Sequence, residues 1–256
     1  MCLILIAYRC HPRYPLLVAA NRDEFYDRPT APLGFWHDLP QILAGRDLQK
    51  GGTWMGVTQS GRFAALTNYR EPSRVMPDAP SRGCLVSDYL CSVESARVYL
   101  DRLAWTAEIY NGFNLLLGDA GQLHYYSNRG GGQRVLTPGI YGLSNHLLDT
   151  PWPKVERGRR ALGQLLDRQV ALTPDDLLDV LTNCTPAPDE DLPDTGVSLE
   201  WERWLSPIFI DAPGYGTRCS TALLLDASGR AQMVETTWAT GRQREFQWDC
   251  PMGIPA

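Results

Sequence analysis

The stretch Met1-Cys2-Leu3-Ile4-Leu5-Ile6-Ala7 decides the fold, together with the apolar run Leu16-Leu17-Val18-Ala19-Ala20 that follows it. Between them lies Cys10-His11-Pro12-Arg13-Tyr14-Pro15, which has the composition of a turn. Two apolar runs joined in this way predict a β-hairpin. The hairpin would bring Cys2 beside Asn21-Arg22-Asp23-Glu24, where the second strand ends.

Cys2 directly follows Met1, and this position has two interpretations. Methionine aminopeptidase removes Met1 when the next residue is small, which would leave a thiol and a free α-amine on one residue. That product pairs a strong nucleophile with a base whose unperturbed pKa is ~7.7–8.0. In the alternative interpretation, Cys2 is a small hydrophobe that opens an apolar strand.

Composition is that of an ordinary globular protein and excludes several function classes. The formal net charge is −5, from 24 Lys and Arg against 29 Asp and Glu, which argues against a nucleic-acid surface. The seven cysteines are odd in number, scattered and without a Cys-x-x-Cys pair, so we expect neither a disulfide framework nor a metal site. No signal peptide or membrane-spanning run is visible, which predicts a cytoplasmic protein without a transmembrane segment.

The order of elements predicts an α+β fold. The first seventy residues indicate β structure, with a second hairpin near 53–58 and 62–68. Further strands are expected near 113–117, 122–126, 139–144, 218–226, 231–238 and 243–248. Helices are expected within 82–104 and near 153–169 and 175–181, and 185–215 is expected to be a long irregular loop. Hairpins alternating with paired helices suit two antiparallel sheets packed face to face and covered by helices, as one domain over residues 1–256.

Arg22 and Asp23 end the second strand and are the first candidates for a site. A guanidinium near Cys2 would stabilise its thiolate and lower its pKa. The alternative is a structural salt bridge at a sheet edge. Side chains alternate along a strand, so two of the four polar residues at this strand end should face inward.

Two asparagines and one arginine lie at other strand ends. Asn68 and Asn145 each offer a side-chain amide donor for an oxyanion hole, where one such donor is worth ~3 kcal/mol of transition-state stabilisation. The alternative for each is an asparagine in a turn. Arg218 opens a late apolar strand, where it could bind a substrate carboxylate or phosphate or steady the thiolate.

Several motifs in the same order resemble the NRDE family, also called transport and Golgi organisation protein 2-like. Besides Met1-Cys2 and 21–24, they are Gly51-Gly52-Thr53-Trp54-Met55-Gly56, Leu143-Ser144-Asn145, Pro151-Trp152-Pro153-Lys154, Leu192-Pro193-Asp194-Thr195-Gly196 and Tyr215-Gly216-Thr217-Arg218. The resemblance implies the four-layer αββα sandwich of N-terminal-nucleophile hydrolases. It also implies Cys2 as nucleophile, supported by Arg22 and Asp23, with Asn68 and Asn145 shaping the oxyanion site and Arg218 completing it.

One detail departs from the bile-salt and penicillin acylase branch that the chain is most similar to. That branch spaces its arginine and aspartate as Arg-Asn-x-Asp, whereas Arg22 and Asp23 are adjacent here. Adjacent strand residues point to opposite faces, so both can face the thiol only if the strand bends.

Two functions follow from the resemblance. The first is hydrolysis of an amide or thioester acyl bond through Cys2, which needs no cofactor. The second is a non-enzymatic carrier or chaperone in intracellular haem trafficking or acyl-CoA and lipid homeostasis. The partner would be a small-molecule acyl substrate or haem, and the oligomeric state stays open.

Haem binding would require an axial ligand. The candidates are His11, expected near the site in the first hairpin turn, and His146, which follows Asn145. Trp201, Trp204, Phe209 and Ile210 in the long loop are expected to form ordinary core or the wall of a ligand site.

Overall fold

The computed structural model describes residues 2–119, 121–168 and 171–250, with the side chains of Cys2 and Asp119 outside that description. The first half contains β1 Cys2–Tyr8, β2 Leu16–Phe25, β3 Thr30–Phe35, β4 Ile42–Asp47, β5 Met55–Thr58, β6 Phe63–Asn68, α1 Gly83–Cys91, α2 Ala96–Ala104, β7 Phe113–Asp119 and β8 Gln122–Ser127. The second half contains β9 Gly132–Val135, β10 Gly139–Leu143, α3 Pro153–Leu166, α4 Pro174–Val180, α5 Leu199–Leu205, β11 Asp211–Ala212, β12 Tyr215–Leu225, β13 Arg230–Thr237 and β14 Arg242–Asp249.

The first sheet has the strand order β10-β1-β2-β12-β13-β14, with β11 paired to β12. Its centre is the predicted hairpin, since β1 and β2 pair antiparallel from Tyr8 opposite Leu16 to Cys2 opposite Arg22. The second sheet is a meander in which β3 to β9 are neighbours in chain order. The described residues therefore form two antiparallel sheets, as predicted.

Alternation along the hairpin separates two cores. Ile4, Ile6 and Val18 pack between the two sheets, against residues such as Leu116 and Phe63 of the second sheet. The intervening positions, among them Leu3, Leu5 and Leu17, pack against α3 and α4. A third core joins the outer face of the second sheet to α1 and α2. The layers are helices, sheet, sheet and helices, and the predicted αββα sandwich is confirmed.

The expectation that 185–215 is irregular was wrong for α5. Ser198 caps this helix by accepting a hydrogen bond from the Trp201 backbone N–H. Leu205 of α5 packs in a small core with Ile210, Ala212 and Tyr215, against which Trp201 and Trp204 lie. The tryptophans thus stabilise the segment, as the core interpretation expected.

The structure also bears on the cysteines and on membrane-spanning segments. Cys10, Cys84, Cys91, Cys184, Cys219 and Cys250 are free thiols. In the described ranges, no helix is both long enough and apolar enough to cross a membrane.

Candidate functional site

Cys2 is the first residue of β1, and its backbone pairs with Arg22 of β2. The hairpin brings these two positions together, as the sequence predicted. The thiol of Cys2 lies outside the described part of the chain, so its role as nucleophile stays a prediction.

Arg22 points towards the second sheet and is held there from two sides. Its guanidinium lies 4.3 Å from the ring centroid of Trp54, within cation–π distance. Its Nη1 donates a 3.1 Å hydrogen bond to Oγ1 of Thr30. With only 5% of its surface exposed, Arg22 places a fixed positive charge beside the register position of Cys2.

Asp23 is buried and is held by residues of a different layer from those around Arg22. Its Oδ1 accepts a 2.8 Å hydrogen bond from Thr217 Oγ1, and Tyr215 donates to its backbone carbonyl. Burial raises the pKa of this carboxyl, while the charge of Lys154 and the Thr217 hydrogen bond act in the opposite direction. Lys154, itself buried, is in the first turn of α3, and this helix packs on the face of the first sheet opposite to the one that Trp54 packs against.

Asn68 and Asn145 meet where β6 and β10 end. The Asn145 side-chain amide donates a 2.9 Å hydrogen bond from Nδ2 to the backbone carbonyl of Asn68. In turn, the Asn145 carbonyl accepts from the backbone N–H of Arg70 at 2.7 Å. Asn145 is fully buried. The structure thus brings together the two residues predicted for an oxyanion site, and their part in catalysis stays a prediction.

Arg218 lies in the irregular stretch of β12 where the pairing with β2 shifts register. Its Nη1 donates to the backbone carbonyls of Phe25 at 2.6 Å and Arg28 at 3.0 Å. Among the described residues, the guanidinium therefore fixes the turn between β2 and β3 instead of lining the cleft. Its predicted role in completing the site is left untested by this placement.

Two pockets that share four lining residues form the polar and the apolar half of a cleft at this end of the sheets. The polar half, of about 250 Å³, is lined by residues that include Arg22, Asp23, Arg28, Asp47, Trp54 and Arg82. The apolar half, of about 400 Å³, is lined by residues that include Phe25, Pro72, Val75, Val197, Trp201 and Leu205. Glu24, Asn68, Arg82 and Asn111 line both halves. Asn68 therefore stands where the halves meet.

The histidines proposed as haem ligands lie in different places. The expected proximity of His11 to the site was wrong, because the 9–15 turn closes the hairpin at the end opposite to Cys2. His11 there accepts from the Arg13 backbone N–H and packs on Tyr14.

His146 is tied into the structure through both ring nitrogens. They hydrogen-bond to Tyr69 and Thr150, and burial lowers the pKa of the ring. Iron binding by His146 would require loss of one of these hydrogen bonds. Among the described side chains, no cluster of three or more His, Cys, Asp or Glu residues could hold a metal ion.

Comparison with known proteins decides the family. The family model described as Transport and Golgi organisation 2 matches residues 1–240. The chain belongs to the Transport and Golgi organisation 2 family. It is 38% identical over 259 residues to the Homo sapiens Transport and Golgi organization protein 2 homolog, covering 92% of each protein. It is 28% identical over 275 residues to the Drosophila melanogaster Transport and Golgi organization protein 2, covering 97% of this chain and 96% of that one.

A solved structure shows how the family relates to a wider fold. The Caenorhabditis elegans N-acylethanolamine-hydrolyzing acid amidase ortholog superposes with a TM-score of 0.51, covering 87% of this chain and 92% of that one. Sequence identity to it is 10%, so the likeness concerns the fold alone. This member of the Transport and Golgi organisation 2 family therefore has an N-terminal-nucleophile-hydrolase-like fold, as the resemblance implied.

Several side chains around the cleft carried no role in the sequence-based prediction. Trp54, Lys154 and Thr217 all lie within motifs that carried the family resemblance, and they contact or act on Arg22 and Asp23. Their position within those motifs is the signal that could have marked them as supports of the candidate site. Glu202 lies in the segment expected to be irregular, and the sequence gives no local sign of its partner Arg70.

Proposed function

We propose that this chain hydrolyses an amide or thioester acyl bond, with Cys2 as nucleophile after removal of Met1. The observation that carries the proposal is the backbone pairing of Cys2 with Arg22, a residue lining the polar half of the cleft. An N-terminal-nucleophile-hydrolase-like fold supports it.

The chemistry needs only the first residue of the processed chain and water. The Cys2 α-amine accepts the thiol proton as the sulfur attacks the acyl carbon. The same amine then protonates the leaving amine or thiol as the bond to the acyl carbon breaks, which leaves an acyl thioester on Cys2. Water adds to that thioester, with the amine as base, and releases a carboxylic acid and the free thiol.

The surrounding residues suit the parts of this reaction. The Arg22 guanidinium beside the Cys2 position favours a thiolate. Asn68 lines both halves of the cleft, and the fully buried amide of Asn145 holds the Asn68 carbonyl where they meet. The apolar half suits the acyl chain, and the polar half suits the leaving group.

The first experiment is an intact mass of the purified protein. Retention of Met1 blocks the α-amine and would refute the proposal. With Met1 absent, wild type is assayed against acyl thioesters and N-acyl amides, including N-acylethanolamines, the class named for the similar structure. Cys2→Ala and Cys2→Ser should lose turnover, while Cys10→Ala, an exposed cysteine at the other end of the hairpin, should retain it. Equal activity in all four proteins would rule out Cys2 as nucleophile.

The carrier hypothesis uses the same cleft and predicts binding without turnover. Long-chain ligands that bind wild type and Cys2→Ala equally, and that neither protein cleaves, would favour the carrier. For haem, titration with haemin should shift the Soret band, and His146→Ala should abolish the shift if this residue is the ligand.

A further inference from the structure

A buried ion pair joins the segment 195–205 to the candidate site. Arg70 Nη1 lies 2.6 Å from Glu202 Oε2, and both side chains are about 5% exposed or less. The other carboxylate oxygen, Oε1 of Glu202, accepts hydrogen bonds from the backbone N–H and the hydroxyl of Thr195. Glu202 therefore closes the loop from Thr195 to α5, and its ion pair with Arg70 attaches this loop to the residue two positions after Asn68.

Arg70 also touches the other parts of the site. Its backbone N–H donates to the Asn145 carbonyl, and its guanidinium lies 4.8 Å from the ring centroid of Trp152, just before α3. Arg70 itself lines the apolar half. Arg70 thus links the 195–205 segment, through its side chain, with Asn145, through its backbone, and Asn145 donates to Asn68.

The attached segment forms one wall of the apolar half. Val197, Trp201 and Leu205 all come from it and line the cavity together with Phe25 and Val75. Ser198 and α5 give this wall a regular helical frame. The position of the wall, and so the space left for a ligand, depends on where the helix is held.

We propose that Arg70 and Glu202 are positioning residues that hold 195–205 as the wall of an aliphatic-chain site, and that they thereby determine binding of the long-chain part of the substrate. The inference rests on the proposed function in taking the ligand of the apolar half to be an acyl chain. Arg70 and Glu202 do not react in this proposal. They act through Val197, Trp201 and Leu205.

The test compares variants of the ion pair in the full chain. Removing one partner leaves a buried charge without compensation, so Arg70→Met or Glu202→Gln alone risks misfolding. The double variant Arg70→Met/Glu202→Met removes both charges and is the main test. Arg203→Gln is the matched control, because Arg203 is the next residue of α5 and pairs with Asp189 at an exposed position. Circular dichroism and thermal unfolding establish that each variant is folded.

Two readouts separate this inference from the proposed activity. The first is direct binding of a long-chain and a short-chain fatty amide, each carrying a dansyl group, measured by fluorescence. All proteins in this binding assay also carry Cys2→Ala, so that the probes are not cleaved. Loss of wall contact with about two methylene groups should weaken long-chain binding about tenfold in the double variant and leave short-chain binding unchanged. The second readout is the pair of kinetic constants KM and kcat, measured with Cys2 intact. Relative to wild type, the double variant should have a higher KM for long-chain substrates and a kcat within about twofold.

The outcomes are distinct. Long-chain binding by the double variant equal to that of wild type would overturn the inference, as would an equal loss in Arg203→Gln. Failure of wild type to bind either probe would also overturn it. Binding with the expected selectivity but no cleavage by wild type would support the positioning role and reject the hydrolase.

Discussion

Arg22 and Asp23 are adjacent in β2, yet their side chains are held by different layers of the sandwich. Arg22 stacks on Trp54, just before β5 of the second sheet, and donates a hydrogen bond to Thr30. Asp23 accepts a hydrogen bond from Thr217, and the charge of Lys154 at the start of α3 acts to lower its pKa. Both residues line the polar half of the cleft because they lie at the end of their strand. The two side chains can therefore act on one site from different sides.

Replacement of Arg22 by Gln should slow alkylation of Cys2. The guanidinium is the cation nearest in register to Cys2, and its loss removes a charge that favours the thiolate. We expect about a tenfold lower rate of iodoacetamide modification at neutral pH, measured by peptide mass spectrometry. Arg13→Gln, in the exposed turn at the far end of the hairpin, should leave the rate unchanged.

Thr217→Val should destabilise the protein through Asp23. The substitution keeps the shape of the side chain but removes the hydroxyl that donates to Asp23 Oδ1 and accepts from the Ile210 backbone N–H. Loss of a donor to a buried carboxyl is expected to lower the free energy of unfolding by about 1–3 kcal/mol in urea denaturation. Thr217→Ser retains the hydroxyl and should lose clearly less. Equal losses in the two variants would show that the hydroxyl contributes no more to stability than the methyl group does.

The β1–β2 hairpin could be predicted because its apolar runs and its turn are local patterns. Strand β3 could not be predicted individually, since Pro32 and Gly34 are disfavoured in strands and the pairing with β4 shifts register between Ala31 and Gly34. Helix α5 was not predicted, because the residues that precede it are rich in Pro and Asp, a composition typical of irregular loops. Its stability comes from the Ser198 cap and from tertiary packing of Leu205.

Individual site residues were predictable where a strand end places them, and much less so where distant segments meet. Cys2, Arg22 and Asn68 stand at such strand ends, and the hairpin register alone joins the first two. Arg70 and Glu202 are 132 positions apart, and Asp23 and Thr217 are 194 apart. No spacing rule on a single strand or helix connects such pairs, because their proximity results from the packing of layers.

Glu235→Gln should remove part of the pH dependence of stability. Burial raises the pKa of Glu235 above that of the unfolded chain, although its Oε1 accepts from the Leu33 N–H. The folded protein then holds the proton at pH values where the unfolded chain has released it. Stability from this residue is therefore greatest below the ordinary Glu pKa and falls as pH rises through the raised folded value.

The measurement is urea denaturation of wild type and Glu235→Gln between about pH 4 and pH 8. The difference in unfolding free energy, wild type minus variant, should fall steadily with pH over the window in which Glu235 ionises. The same difference is measured for Glu245→Gln, at an exposed position of β14, as the surface control. A flat difference for Glu235→Gln would show that its carboxyl titrates alike in the folded and unfolded chains.

Asn145→Ala should impair turnover more than stability or substrate binding. Its amide fixes the Asn68 carbonyl at the junction of the two cleft halves, and as an oxyanion donor it would act only on the transition state. We expect kcat to fall by about 100-fold or more with KM nearly unchanged, measured with a substrate that Cys2→Ala fails to cleave. Asn128→Ala is the matched control, because Asn128 also bridges backbone groups, those of Ala107 and Phe113, and does not belong to the residues that line either half of the cleft. A similar fall in kcat for both variants would assign Asn145 a structural role alone.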